Sequence, residues 1–192
     1  RKDPAMKILA FAASLRAASL NRKLIQQAVT ILQAASGVDV DLADFREFDM
    51  PMYDGDLEAR DGIPAGGREL IRRIQGADGL LISTPEYNGG IPGTLKNAID
   101  WASRAEPIPF EGKPILLIGA SPGGLGAVRS LWHSRVPLET IGAHVYPEMM
   151  GVPRAHQAFD DSGRLQDPNQ LSRFQGLLLS YIDFVRKLQG TS

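Results

Sequence analysis

Three apolar runs rich in branched side chains each stop at a loop of small and polar residues and give way to helical periodicity, and this repetition constrains the fold more than any other property of the chain. The middle run is the most particular. Residues 79–103 read GLLISTPEYNGGIPGTLKNAIDWAS: Leu80, Leu81 and Ile82 break at Pro85, a loop passes through Asn88, Gly89, Gly90 and Pro92, and a helix resumes. An apolar run without alternation is the pattern of a parallel strand buried on both faces. Gly89 and Gly90 remove side chains where a backbone can approach a flat ligand, and Pro85 and Pro92 stiffen both ends, so the loop amides read as fixed donors. An ordinary strand-to-helix turn uses the same residue types, and the companion loops must decide.

The first run, residues 6–13, ends at a polar knot of Ser14, Leu15, Arg16, Ala17, Ala18, Ser19, Leu20 and Asn21. Behind it Leu24, Ile25, Ala28, Ile31 and Leu32 recur at helical spacing as far as Ser36 and Gly37. Hydroxyls, an amide, a guanidinium and the free N–H groups of a helix start thus meet at a strand's carboxyl end, a constellation suited to a phosphate. The sequence contains neither GxGxxG nor a glycine-rich loop ending in Lys-Ser or Lys-Thr, so hydroxyl and arginine donors stand where those motifs use glycine. Ser19 or Asn21 can equally act as a helix cap, with Arg16 a solvated charge. The third run, residues 113–120, leads straight into Ser121, Pro122, Gly123, Gly124, Leu125 and Gly126.

Between these runs, residues 38–43 alternate Val38, Val40 and Leu42 with Asp39 and Asp41, as an edge strand with one exposed face does. Residues 44–62 read as a long irregular loop, in which Met50, Met52 and Tyr53 either pin the loop to the core or fold over a ligand. A helix over 63–75 follows, with Leu70, Ile71 and Ile74 inward; after the second special loop Leu95, Ala98, Ile99 and Ala102 line one helical face, and Trp101 reads as core. Residues 127–140 are helix-compatible, with Pro137 expected to kink or end the helix early; 142–146 suit a fifth strand and 168–188 a last helix, while 151–166 carry no assignable pattern. Five alternations of strand and helix predict a doubly wound, five-stranded parallel sheet of order 2-1-3-4-5 with helices on both faces. In that order the loops after strands one, three and four converge on the switch point.

A chain of 192 residues with 43% hydrophobic content buries a full core, and its length suits one domain, taken as residues 6–190. Arg1 to Ala5 precede the first methionine, Met6, and read as an expression remnant outside the fold. The 21 basic residues against 22 acidic ones leave a formal charge of −1, which argues against nucleic acid or an anionic membrane as partner. The absence of cysteine excludes disulfides, thiolate metal sites and cysteine nucleophiles, and fits a reducing, cytoplasmic setting. No apolar run approaches a membrane span. His133, His144 and His156 show no ligand spacing, so no metal is expected.

The loops resemble those of the NADPH-dependent FMN reductase family, flavodoxin-like proteins that include quinone and chromate reductases. The family's Ser-x-Arg-x-x-Ser-x-Asn is matched by Ser14, Arg16, Ser19 and Asn21, and its Pro-Glu-Tyr-Asn followed by Pro-Gly-x-Leu-Lys-Asn by residues 85–88 and by Pro92, Gly93, Leu95, Lys96 and Asn97. Gly90 stands where a serine is usual. The resemblance covers residues 6–152. It implies non-covalent FMN, with its phosphate at Ser14, Arg16, Ser19, Leu20 and Asn21, its ring and ribityl chain at Pro85, Glu86, Tyr87, Asn88 and Gly89, and a wall at Ser121, Gly123 and Gly124. It further implies a ping-pong cycle from NADPH or NADH to a small-molecule acceptor such as a quinone, free flavin, azo dye or chromate, in a homodimer or homotetramer. Because the flavin itself takes the hydride, the protein need supply only binding and N–H donors, for which the backbone of Tyr87, Asn88 and Gly89 is the candidate; Tyr87 borders the open face, and Glu86 is expected to accept hydrogen bonds, with no acid required. Arg129, Trp132, Arg135 and Glu148 are candidate interface residues, and Arg16, Arg104 or Arg129 candidates for the extra phosphate of NADPH. The rival readings are an electron-carrier flavodoxin, against which the charge of −1 speaks, a non-turnover FMN-binding sensor, and an enzyme of this fold using another phosphate ligand.

Overall fold

Side chains alternate across a β-strand, so an unbroken apolar run needs cover on both sides of its sheet. The computed structural model, which describes residues 5–190, supplies that cover. The expectation for the N-terminal remnant falls, apart from Ala5, outside the described residues. In chain order the elements are β1 (Met6–Ala12), α1 (Leu20–Gln33), β2 (Val38–Ala43), a 3-10 turn (Phe45–Phe48), α2 (Gly55–Asp61), α3 (Ala65–Gln75), β3 (Gly79–Ser83), α4 (Gly93–Ala102), β4 (Pro114–Ala120), α5 (Val128–Thr140), β5 (His144–Val145), β6 (Met150–Val152) and α6 (Pro168–Gln189). The strands pair in parallel in the order β2-β1-β3-β4-β5, and β6 pairs with β4 beyond β5.

Ile8, Ala10, Leu81, Leu116 and Ile118 face α1 and α6, burying Leu24, Ile25, Phe174, Leu178 and Tyr181. Leu9, Phe11, Leu80, Ile82, Ile115 and Leu117 face the opposite way, onto the 3-10 turn and α3 to α5, with Phe45, Leu70, Ile99 and Leu131. Each such fully buried aliphatic side chain contributes about 2 kcal/mol of transfer free energy.

The fifth strand position departs from expectation. Residues 142–146 yield only the two-residue β5, which pairs with Pro114 and Ile115; β6, partly from the segment without assignable pattern, then pairs with Ile118 to Ala120. Pro147 lies between them and has no N–H to extend the ladder. β6 lies close against the loop after β4, where a Cβ on Gly151 would come 2.3 Å from the Gly126 carbonyl oxygen.

Residues 44–62 are more ordered than a loop. Asp44 and Glu47 form a reciprocal capping box around the 3-10 turn, and Asp54 caps α2. Helix α5 continues past Pro137, which falls in its last turn, to Thr140. Among the described residues no helix is long and apolar enough to cross a membrane.

Candidate functional site

β1, β3 and β4 are neighbours and parallel, so their carboxyl ends present three loops side by side. At the first loop Ser19 is the N-cap of α1, its Oγ accepting from Asn21 N at 3.2 Å, while Ser14 is buried with its Oγ 3.4 Å from Arg16 N. Among the described residues, the backbone N–H groups of Ala17, Ala18 and Leu20 find no acceptor and the exposed Arg16 guanidinium has no carboxylate partner. A helix start with open N–H groups and a free guanidinium is an anion-binding arrangement.

Asn21 has a structural part in the crevice. Its side chain is 2% exposed and turned into the sheet: Nδ2 donates to Ala120 O at 2.9 Å, and Oδ1 accepts from Ala120 N and from Ser83 Oγ, each at 2.9 Å. One carboxamide therefore joins the start of α1 to the ends of β3 and β4. Its geometry makes it the tie between the three loops, with Oδ1 and one Nδ2 hydrogen engaged inside the protein.

In the second loop Asn88 and Gly89 both adopt positive φ, 51° and 76°, and Tyr87 and Gly90 exchange hydrogen bonds at 3.0 and 3.2 Å. This is the tight turn that an Asn-Gly pair favours, and it leaves the N–H groups of Asn88 and Gly89 without a protein acceptor. Tyr87 is half exposed. Glu86 turns inward: its carboxylate accepts from Arg129 N at 3.1 Å and Ser130 N at 3.4 Å, and pairs with the Arg129 guanidinium, whose Nε lies 2.8 Å away. It caps α5, whose N-cap residue Ala127 has no side-chain acceptor and a φ of 68°. Burial pushes the Glu86 carboxyl up, but the Arg129 guanidinium and the amides of Ser130 and Arg129 outweigh it and hold the group below the usual carboxylate range. A carboxylate so held is no proton donor at neutral pH.

The third loop is fastened by the turn after β6. Ser121 N donates to Val152 O, Arg154 N to Gly123 O and Ala155 N to Ser121 O, all at 3.0–3.1 Å, and Ser121 Oγ accepts from Gly123 N. Sequence reasoning missed residues 153–155, and no local pattern marks them. Beside the crevice, residues 51–53 are pinned: Trp101 Nε1 and Asn97 Nδ2 both donate to Pro51 O, and Asn97 Oδ1 accepts from Tyr53 N at 2.7 Å. The Tyr53 ring meets Trp101 edge-on at 5.0 Å, leaving Met52 72% exposed.

Of the candidate interface residues, Arg135 turns inward to the carbonyls of Val145 and Tyr146 and to Glu139, whereas Trp132 is 59% exposed. Among the described residues no group of three or more His, Cys, Asp or Glu is placed to hold a metal ion.

The family model for NADPH-dependent FMN reductase matches residues 6–157. The chain belongs to that family. A family member of Pseudomonas aeruginosa described as an NAD(P)H-dependent FMN reductase is 38% identical over 187 residues, covering 96% of this chain and 98% of its own. A quinone reductase of Escherichia coli is 34% identical over 188 residues, covering 96% and 97%. Among solved structures, the flavoenzyme NAD(P)H:(acceptor) oxidoreductase FerB of Paracoccus denitrificans superposes with a TM-score of 0.80 at 29% identity, over 95% of this chain and 98% of FerB. An archaeal flavodoxin, at 10% identity and a TM-score of 0.60, shares the fold alone.

Proposed function

We propose that this chain is an NAD(P)H-dependent flavin oxidoreductase that holds FMN across the three loops and delivers electrons to small acceptors, quinones among them. The observation that carries the reading is the set of backbone N–H groups without protein acceptors at Ala17, Ala18, Leu20, Asn88 and Gly89, gathered at one end of the sheet with Arg16. That donor set fits a ligand with a phosphate at one end and a flat, electron-accepting ring at the other.

FMN held there would supply the redox chemistry that links a nicotinamide donor to a second substrate. Arg16, Ser14, Ser19 and the amides before α1 hold the phosphate. The Asn88 and Gly89 amides, stiffened by the Tyr87–Gly90 pair, donate toward the ring edge where negative charge grows, and Pro85 and Glu86 fix the base of that turn. Ser121, Gly123 and Gly124 form the facing wall, low enough to leave access, and Tyr87 borders the opening. Glu86 orients α5 and donates no proton. We further take residues 6–190 as one domain acting in the cytoplasm. Assembly into a homodimer or homotetramer is supported by Leu125, Trp132 and Val136, exposed together along the start and outer side of α5.

The test is an absorbance spectrum of protein mixed with FMN and desalted, followed by anaerobic NADPH or, separately, NADH. A retained flavin band that bleaches within seconds is expected. A retained band that persists identifies a carrier or sensor, and loss of the colour on desalting at several protein concentrations removes the FMN site.

A further inference from the structure

The arginines around the crevice divide by whether the protein already neutralises them. Arg22 pairs with Asp44, Arg104 Nε lies 2.9 and 3.0 Å from the two Glu58 carboxylate oxygens, and Arg129 is held by Glu86. Two of the three sequence candidates for reading the extra phosphate of NADPH are thereby occupied. The third, Arg16, stands with the open amides of the first loop, where one phosphate matches them. Arg46 was not among the candidates. It is exposed, donates from Nη2 to Leu15 O at 2.5 Å, and among the described residues has no carboxylate within ion-pair distance; Asp44, already paired with Arg22, acts on it only from farther away.

Arg46 is also held firmly. Its neighbours Phe45 and Phe48 are buried against Phe11, with ring centroids 5.6 and 5.9 Å away, and Glu47 both caps Asp44 N and pairs with Arg73 at 2.8 Å. The guanidinium borders a cavity of about 510 Å³ lined by Leu15, Met50, Asp49, Thr94 and Asn97. That volume suits a nucleotide-sized ligand. The cavity lies between the first loop and the start of α4, which only Ile91 and Pro92 separate from the second loop. Pro92 offers no side-chain cap there, and the Gly93 and Thr94 amides have no protein acceptor.

We propose that this cavity receives the phosphorylated adenosine end of the nicotinamide donor and that Arg46 reads its 2′-phosphate, making the protein prefer NADPH to NADH. The proposal rests on the flavin-reductase reading above. Leu15 and Met50 give apolar walls for a flat base, and a guanidinium with open N–H groups matches a phosphate dianion. Asp49 lines the same cavity, and a carboxylate facing the ribose would select NADH instead, so the two residues predict opposite preferences. Arg173 on α6, exposed and among the described residues also without a carboxylate partner, lies outside the three loops and serves as the comparison.

The experiment uses FMN-loaded protein and the variants Arg46→Gln, which keeps an N–H for the Leu15 carbonyl, Arg46→Lys and Arg173→Gln. Binding of NADP⁺, NAD⁺ and 2′,5′-ADP to the oxidised protein is measured by calorimetry, and KM and kcat are measured with NADPH and NADH. The proposal expects Arg46→Gln to weaken NADP⁺ and 2′,5′-ADP by about tenfold or more, the effect of one charge-assisted hydrogen bond. KM for NADPH rises with them, kcat and the NADH parameters stay put, Arg46→Lys restores most of the loss, and Arg173→Gln changes nothing. Equal losses for both donors, no loss for either, the same loss in Arg173→Gln, or flavin release from Arg46→Gln overturns the proposal alone. Wild-type protein that neither donor reduces overturns the reductase reading as well.

Discussion

The two ends of the sheet treat their backbone differently. At the amino end of the strands, polar side chains close the structure: Asp78 accepts from Lys7 N at 2.7 Å, Lys113 Nζ donates to Ala77 O, and the buried Tyr181 hydroxyl lies 2.8 and 3.0 Å from the carbonyls of Leu80 and Pro114. At the carboxyl end the carbonyls are capped as well, Ser83 O by Ala13 N, Ile118 O by Thr84 N, Ala120 O by Asn21 and Val152 O by Ser121 N. Among the described residues, the N–H groups of Ala17, Ala18 and Leu20 at the entry to α1 and of Asn88 and Gly89 in the second-loop turn are left open. Acceptors satisfied and donors exposed make that end attractive to anions and to rings that gain negative charge, whereas the other end is sealed by burial.

If that contrast is right, the two ends separate stability from flavin binding. The largest effect is expected from Asn21→Ala, which strips partners from Ala120 and Ser83 in a buried site. It should lose about 3 kcal/mol in denaturant unfolding and, unlike changes at the amino end, release flavin on desalting. Asn21→Asp sharpens this, because only its protonated carboxyl can donate to Ala120 O, so flavin retention should improve as pH falls toward the carboxyl range. Tyr181→Phe leaves the Leu80 and Pro114 carbonyls short of a donor and should cost about 1–2 kcal/mol while flavin affinity stays within twofold. A matching fall in affinity would break the comparison.

The smallest effect belongs to Glu86. Its folded-state pKa is depressed below the ordinary 4.5, so its stabilisation is fully present above that value and disappears as pH falls through the lower folded value. Glu86→Gln should cost about 1 kcal/mol at pH 7 and flatten the acid limb of a stability-against-pH series. An unchanged acid limb would mean that the cap contributes nothing.

Much of this was readable in the chain. The buried strands were visible because an unbroken apolar run has few other uses. The Asn88-Gly89 turn carried its own backbone requirement, and Ser19 sat where a helix start needs a cap. The capping box of Asp44 and Glu47 is equally local, but the Pro and Gly residues that follow it give residues 44–62 the pattern of an irregular loop. Sequence also brought Asn21, Glu86 and Asn97 to notice, because polar residues in such motifs demand partners.

What it could not assign was the partner. Asn21 meets Ala120 across 99 positions, Glu86 meets Arg129 across 43, and Asn97 holds Pro51 across 46. A carboxamide or carboxylate offers the same hydrogen-bonding groups to a ligand as to a backbone, so residue type alone leaves both uses open. Periodicity and turn chemistry act over a few residues, and by themselves they determined β1 to β4, α1, α3 to α6 and the convergence of three loops. Which donors at those loops remain open depends on which acceptors the folded chain brings within 3 Å, and only the tertiary structure decides that.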